Sequence, residues 1–169
     1  MKGNMVISRL DIIEKMKWLT EHNALCQQNK FKCVTASGPE NMEGVMAEYR
    51  RTENFVIVDD TSDNRMFCGK PGWFTRATMT VWIMAAVKYN DSDDYKTKMQ
   101  LCREVFKQFV ARLIYEKQAL QKAELMFLDV NNILYKELGR YSINGACGLY
   151  FMIDNEIPTD LTYNINEWK

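Results

Sequence analysis

A single histidine, His22, stands in a chain of 169 residues. Nucleophilic catalysis of the Ser–His or Cys–His kind would have to run through that one imidazole. It sits in a helix-like segment between Glu21 and Asn23, with no serine or cysteine placed beside it. A zinc site needs about four nitrogen or sulfur ligands, and one histidine with scattered cysteines does not supply them. The cysteines are Cys26, Cys33, Cys68, Cys102 and Cys147, an odd number without a CxxC pair. They fit neither a disulfide framework nor a zinc site, and read as buried free thiols in a reducing cell.

Net charge is also missing, with 22 basic against 22 acidic residues. Such a chain has no overall field to hold polyanions, so sequence-specific or generic nucleic-acid binding is not expected. Arg50-Arg51 is its only adjacent arginine pair. No apolar stretch approaches the roughly 20 residues of a membrane-spanning helix. Met1-Lys2-Gly3-Asn4 begins like a signal peptide, but Arg9 and Asp11 interrupt any apolar run, so the start reads as a native cytosolic one. There is no GxGxxG and no phosphate-binding glycine-rich lysine loop. Gly69-Lys70-Pro71-Gly72 lacks the strand-to-helix switch that a phosphate loop requires.

Two acidic groups remain. Asp59, Asp60 and Asp63 suit a hard divalent cation, because such ions take clustered carboxylates. They suit a solvated strand end and turn equally well in composition, and that reading is preferred. Asp91-Ser92-Asp93-Asp94 has the look of a calcium loop but lacks its glycine, and the chain turns helical at once, which points to helix capping. The expectation is a chain with no catalytic residues, no metal and no cofactor.

What is present is a scaffold. The length and a 47% hydrophobic share fit one domain over 1–169, with a core over 8–155 and a C-terminal tail over 156–169. Ser8 to about Gln28 reads as a helix, capped by Ser8 with Asp11. Lys30–Ala36 and Asn54–Asp60 read as short strands, and Thr61–Gly72 as a loop rich in turn formers. The stretch Glu40–Thr52 reads as a short helix or an irregular excursion.

Trp73 to Tyr89 then alternates with period two. Ala77, Met79, Val81, Ile83, Ala85 and Val87 form one apolar face, and Arg76, Thr78, Thr80, Trp82, Met84, Ala86 and Lys88 the other. A straight strand of that length would reach roughly 55 Å, against a radius of gyration of about 15 Å for a domain of this size. It must coil, bulge or project. After the acidic turn, Tyr95, Met99, Cys102, Phe106, Phe109 and Leu113 mark one face of a long helix. Leu125–Leu128 reads as a short strand, Ile133–Leu138 as strand or helix, and Gly139–Asp154 as a closing hairpin turning at Asn144-Gly145. The predicted class is α+β: an antiparallel twisted sheet of four to five strands packed against two main helices.

This order of elements resembles the tail-terminator and tail-completion proteins of long-tailed bacteriophages, a family that includes head–tail joining and minor tail proteins. The matching pieces are the N-terminal helix (Ser8–Gln28), the long strand (Thr75–Tyr89), the polar linker (Asn90–Asp94), the helix Tyr95–Tyr115 and the glycine-preceded last strand (Gly148–Ile153). The resemblance implies a virion component without enzymatic activity. It implies self-assembly into a ring, commonly a hexamer, that caps the tail tube and contacts tube and neck or connector proteins. Trp73, Phe74, Trp82 and Trp168 are then the candidate subunit-interface residues. The same aromatics read equally as cover for the second sheet face within one subunit. Two other classes compete: a small α+β binding module with a pocket between helix and sheet, and an enzyme whose acids (Asp59, Asp60, Asp63, with Glu48) act through a metal.

Overall fold

The computed structural model describes residues 10–38, 41, 44–45, 54–119, 123–140 and 145–168. Ser8, most of Glu40–Thr52 and residues 141–144 of the expected closing hairpin lie outside them.

The first helix starts one turn later than its sequence suggests. Asp11 is the cap, its Oδ1 accepting from the N–H groups of Ile13 and Glu14 at 3.0 Å each. Helix α1 (Ile12–His22) stops at Asn23, whose extended backbone breaks the ladder. The Asn23 side chain then caps α2 (Ala24–Gln28) by accepting from Cys26 N at 2.9 Å. The single helix expected over 8–28 is therefore two, because an asparagine stabilises a break by bonding the backbone on its far side.

The strands are β1 (Phe31–Ala36), β2 (Asn54–Asp59), β3 (Asp63–Gly69), β4 (Gly72–Ala86), β5 (Leu128–Leu138) and β6 (Ala146–Pro158), in a single sheet of order β1-β2-β4-β6-β5. The sheet has six strands, not four to five, and is not purely antiparallel: β1 and β2 run parallel, from Phe31↔Asn54 to Ala36↔Asp59. The extra strand is β3, which occupies the segment expected to be a loop. It pairs with β4 from Asp63↔Thr78 to Gly69↔Gly72, and turns through Lys70-Pro71.

Strand β4 is the axis. From Phe74 to Ala86 it pairs with β6 in one unbroken antiparallel register. Its other edge is shared, by β3 against the first half and by β2 against Val81–Met84. Strand β5 follows β6 with a register shift between Asp129 and Leu134.

Helix α3 (Ser92–Gln118) is capped by Asp91, which accepts from Asp93 N and Asp94 N at 3.1 and 2.9 Å. It buries Met99, Cys102, Val105, Phe109, Leu113 and Glu116. With Met16 and Leu19 of α1, its Cys102, Val105, Phe109 and Leu113 cover one sheet face, that of Val56, Val58, Met79, Val81, Ile83, Leu149, Phe151 and Ile153. The opposite face has a smaller cluster of Ala36, Phe55, Ile57, Trp82, Met84 and Ala146.

A buried polar contact joins α1 to α3. Lys15 donates to Glu116, which also accepts from Arg112 Nε at 2.7 Å; Lys15 and Glu116 are only 6% and 3% exposed. The Lys15 ammonium and the Arg112 guanidinium both lie over the Trp18 ring.

Candidate interaction surface

The end of the sheet nearest the β3–β4 turn is an arm of three strands: β3, the first half of β4 and the end of β6. Cross-strand pairs stiffen it. Phe67 sits opposite Phe74 and stacks on it at 5.7 Å between centroids. Arg76 lies over Phe67 and donates from Nε to Glu156 Oε1 at 2.6 Å, while Thr78 Oγ1 donates to Asp154 Oδ1 at 2.6 Å. These groups occupy one face of the arm. The register places Met66, Cys68, Trp73 and Thr75 on the other, which continues the face that the helices cover further along. There Met66 and Trp73 are exposed, Trp73 to 46%.

The tail leaves from the same place. Thr159 N donates to Trp73 O at 2.9 Å, and the Thr75 and Thr159 hydroxyls are 2.7 Å apart. Beyond this root every described residue from Leu161 to Trp168 is exposed. The tail still has local shape: Asp160 Oδ1 accepts from Thr162 N, Asn164 Oδ1 accepts from Asn166 N, and Tyr163 stacks with Trp168 at 6.3 Å.

The four aromatics singled out by sequence thus divide. Trp73 and Trp168 are exposed at the arm and on the tail. Phe74 is half-buried on Phe67. Trp82 is 6% exposed and packs into the second-face cluster, so it covers the sheet within one subunit and has little surface left for a second copy.

A second apolar surface lies between α3 and the overhanging β5. This groove of about 640 Å³ is lined by Phe106, Val110, Ala111, Ile114 and Tyr135. Arg103 closes one end with two bonds to Glu137, at 2.6 and 2.8 Å, and this guanidinium holds the Glu137 carboxyl below its ordinary range. Sequence reasoning missed the groove. Its signal was on α3, where Val110, Ala111 and Ile114 widen the apolar stripe beyond the residues the sheet can cover.

The acids do other work. Asp59 Oδ1 accepts from Gly38 N, Thr61 N and Thr61 Oγ1 at 3.0, 2.9 and 2.7 Å, tying the end of β2 to two loops. Asp60 Oδ2 accepts from Ser37 Oγ at 2.8 Å, and Asp63 opens β3 at the surface. Among the described residues no three of His, Cys, Asp and Glu come together as metal ligands. Replacing Asp59 with alanine is expected to cost about 2 kcal/mol in urea unfolding, the range for bonds to a charged acceptor. Added EDTA should not change the wild-type curve. An EDTA effect on wild type that the D59A variant lacks would mean that the carboxylate binds a cation.

His22 is exposed, with Nδ1 2.9 Å from Trp18 O and its ring stacked on Trp18. All five cysteines are free; Cys68 is exposed, against the expectation of burial, because β3 is an edge strand of the arm. Burial pushes the thiols of Cys26 up to about 12 and of Cys33 and Cys147 up to about 11, and raises Cys102 as well. No helix among the described residues is long and apolar enough to cross a membrane.

Comparison with protein-family models, curated proteins and solved structures finds no match to this chain.

Proposed function

We propose that this chain is a structural subunit of a long-tailed phage virion, forming a ring that caps the tail tube or joins head to tail. The observation that carries the reading is the exposure of Met66 and Trp73 on the arm and of Leu161, Tyr163, Ile165 and Trp168 on the tail rooted beside Trp73. Single apolar residues are normal on a surface, but Trp, Tyr and Met are the residues enriched in interface cores. Ring closure needs two different surfaces on each subunit, since a heterologous contact joins unlike patches. The arm end and the α3–β5 groove are two such surfaces. Tube and neck proteins are the partners this reading implies.

The Met66→Ser/Trp73→Ser double variant tests it. Both side chains are exposed, so folding stability should change by less than about 0.5 kcal/mol, while the native mass in solution should fall from a ring to smaller species. An unchanged ring would remove the arm from the interface.

A binding module without enzymatic activity is the second reading. It draws on a cavity of about 420 Å³ over the second sheet face, with Thr80, Trp82, Tyr150 and Asp63 in its wall. This pocket lies on the sheet face away from α1 and α3, not between helix and sheet.

A further inference from the structure

We infer that the cavity on the second sheet face is a binding site for a small organic cation, an amine that carries a flat apolar group. The inference is independent of the ring reading, and it gives the cavity of the binding-module reading a ligand class.

The sheet register builds the site. Thr78, Thr80 and Trp82 alternate along β4 onto one face. Asp63 of β3 is opposite Thr78, Met152 of β6 is opposite Thr80, and Tyr150 is opposite Trp82. Val58 is opposite Val81, so the next residue of β2, Asp59, comes beside Thr80. These side chains wall a cavity of about 420 Å³, within the usual range for a small-molecule site. One end of it is apolar, where Leu138 joins Trp82 and Tyr150. The other end is acidic.

The acidic end is rich in acceptors. Asp59 is only 8% exposed, and its three donors, Gly38 N, Thr61 N and Thr61 Oγ1, all bind Oδ1. Its second oxygen, Oδ2, is left for a donor in the cavity. The Thr61 and Thr78 hydroxyls have given their protons to Asp59 and Asp154, so what they offer a ligand is lone pairs. Asp63 adds a second carboxylate at the exposed rim. No lysine, arginine or histidine is among the described residues of the wall. Arg76, on the same face, is held by Glu156. Arg65 on β3 and Lys136 opposite Tyr150 on β5 are exposed and outside the wall. A carboxylate or phosphate ligand would meet like charge here with no cation to offset it. An ammonium meets two carboxylates and the hydroxyl lone pairs.

Spacing selects the shape of the ligand. Asp59 stands beside Thr80, two residues of strand or about 7 Å from Trp82. An ammonium at the carboxylates and a ring against Trp82 and Tyr150 therefore belong to one molecule, joined by a short alkyl link. The two aromatic side chains give that ring apolar area and a stacking partner.

The test titrates 2-phenylethylammonium into the 169-residue chain by calorimetry. The comparison is 3-phenylpropanoate, an anion of similar size. One-to-one binding with a Kd on the order of 1 mM or below is expected for the cation, and none for the anion. In protein labelled at the methionine methyls, the Met152 signal should move among the 11 methionines. Thr80→Lys, which sets a cation of the chain's own beside Asp59, should abolish binding. Thr80 is half-buried, so the exposed Asp63→Asn change carries the same test should Thr80→Lys not fold, and it should weaken binding about threefold. No binding of the cation at millimolar concentration, equal binding of the anion, or a Met152 signal that does not move would overturn the site. So would an affinity unchanged in both variants. Each of those failures would leave the ring reading standing, because the cavity is on neither of its two surfaces.

Discussion

Replacing Gly148 with alanine is expected to unfold the protein or to lower its stability by about 3 kcal/mol or more, at the upper end of overpacking costs. Gly148 sits on β6 opposite Met84 of β4 and Leu138 of β5. A Cβ there would lie 1.9 Å from Ile83 O and 2.9 Å from Met84 Cα. Both are backbone atoms of the central strand, so no side chain can turn aside to admit the methyl group. The β4–β6 register would have to move, and it holds both core faces in place. Gly69 is the internal control. Its added Cβ would meet Phe74 and Pro71 side-chain atoms at 3.5–3.7 Å, which is ordinary contact. Gly69→Ala should unfold within about 1 kcal/mol of wild type in urea. Similar midpoints for the two variants would show that the strands are not as close at Gly148 as described.

The second large effect is expected at the strap between α1 and α3. Glu116→Leu takes the carboxylate from the buried Lys15 ammonium and leaves it over the Trp18 ring, and removing one partner of a buried pair costs about 3–5 kcal/mol. Arg112 is half-exposed and can turn to water. The Lys15→Met/Glu116→Leu double variant should recover most of the loss, because two apolar side chains of similar volume need no desolvation of charge. The pH dependence has a definite sign. Burial alone would raise the Glu116 carboxyl, but the bonds from Lys15 and Arg112 outweigh it and the net shift is downward. Its unfolded value is near 4.3. Its contribution is therefore complete above about pH 5 and is lost as pH falls through the lower folded value. Thermal melts of wild type and Glu116→Leu should converge as the pH drops toward 3. A single-variant cost below 1 kcal/mol at pH 7 would show that the strap is solvated.

Periodicity made the helix layer legible. Of the stripe Tyr95, Met99, Cys102, Phe106, Phe109 and Leu113, all but Tyr95 and Phe106 are fully buried and those two are half-buried, and the apolar face read from the alternation on β4, with Met79, Val81 and Ile83, is the one under the helices. Periodicity cannot see partners distant in sequence. No local pattern reveals the Lys15–Glu116 pair, because the two partners are 101 residues apart. Strand β3 reads as a loop because its side chains are mostly exposed and need no apolar alternation; the backbone of β4 holds it. The parallel pairing of β1 with β2 depends on where the chain crosses between Ala36 and Asn54, which no local pattern encodes. Exposure was legible in part. Of the four aromatics taken as interface candidates, Trp73 and Trp168 are exposed and Phe74 is half-buried, whereas Trp82 is core because Phe55, Ile57 and Met84 share its face.

The most direct test of the ring-forming role is the native mass of the purified 169-residue chain, by light scattering coupled to size exclusion, with negative-stain images of the main peak. A ring-forming subunit gives a closed annulus whose mass is a fixed multiple of 19.8 kDa, with the same multiple across a range of loading concentrations. A monomer or compact dimer at every concentration, without annular particles, would contradict that role and favour the binding module.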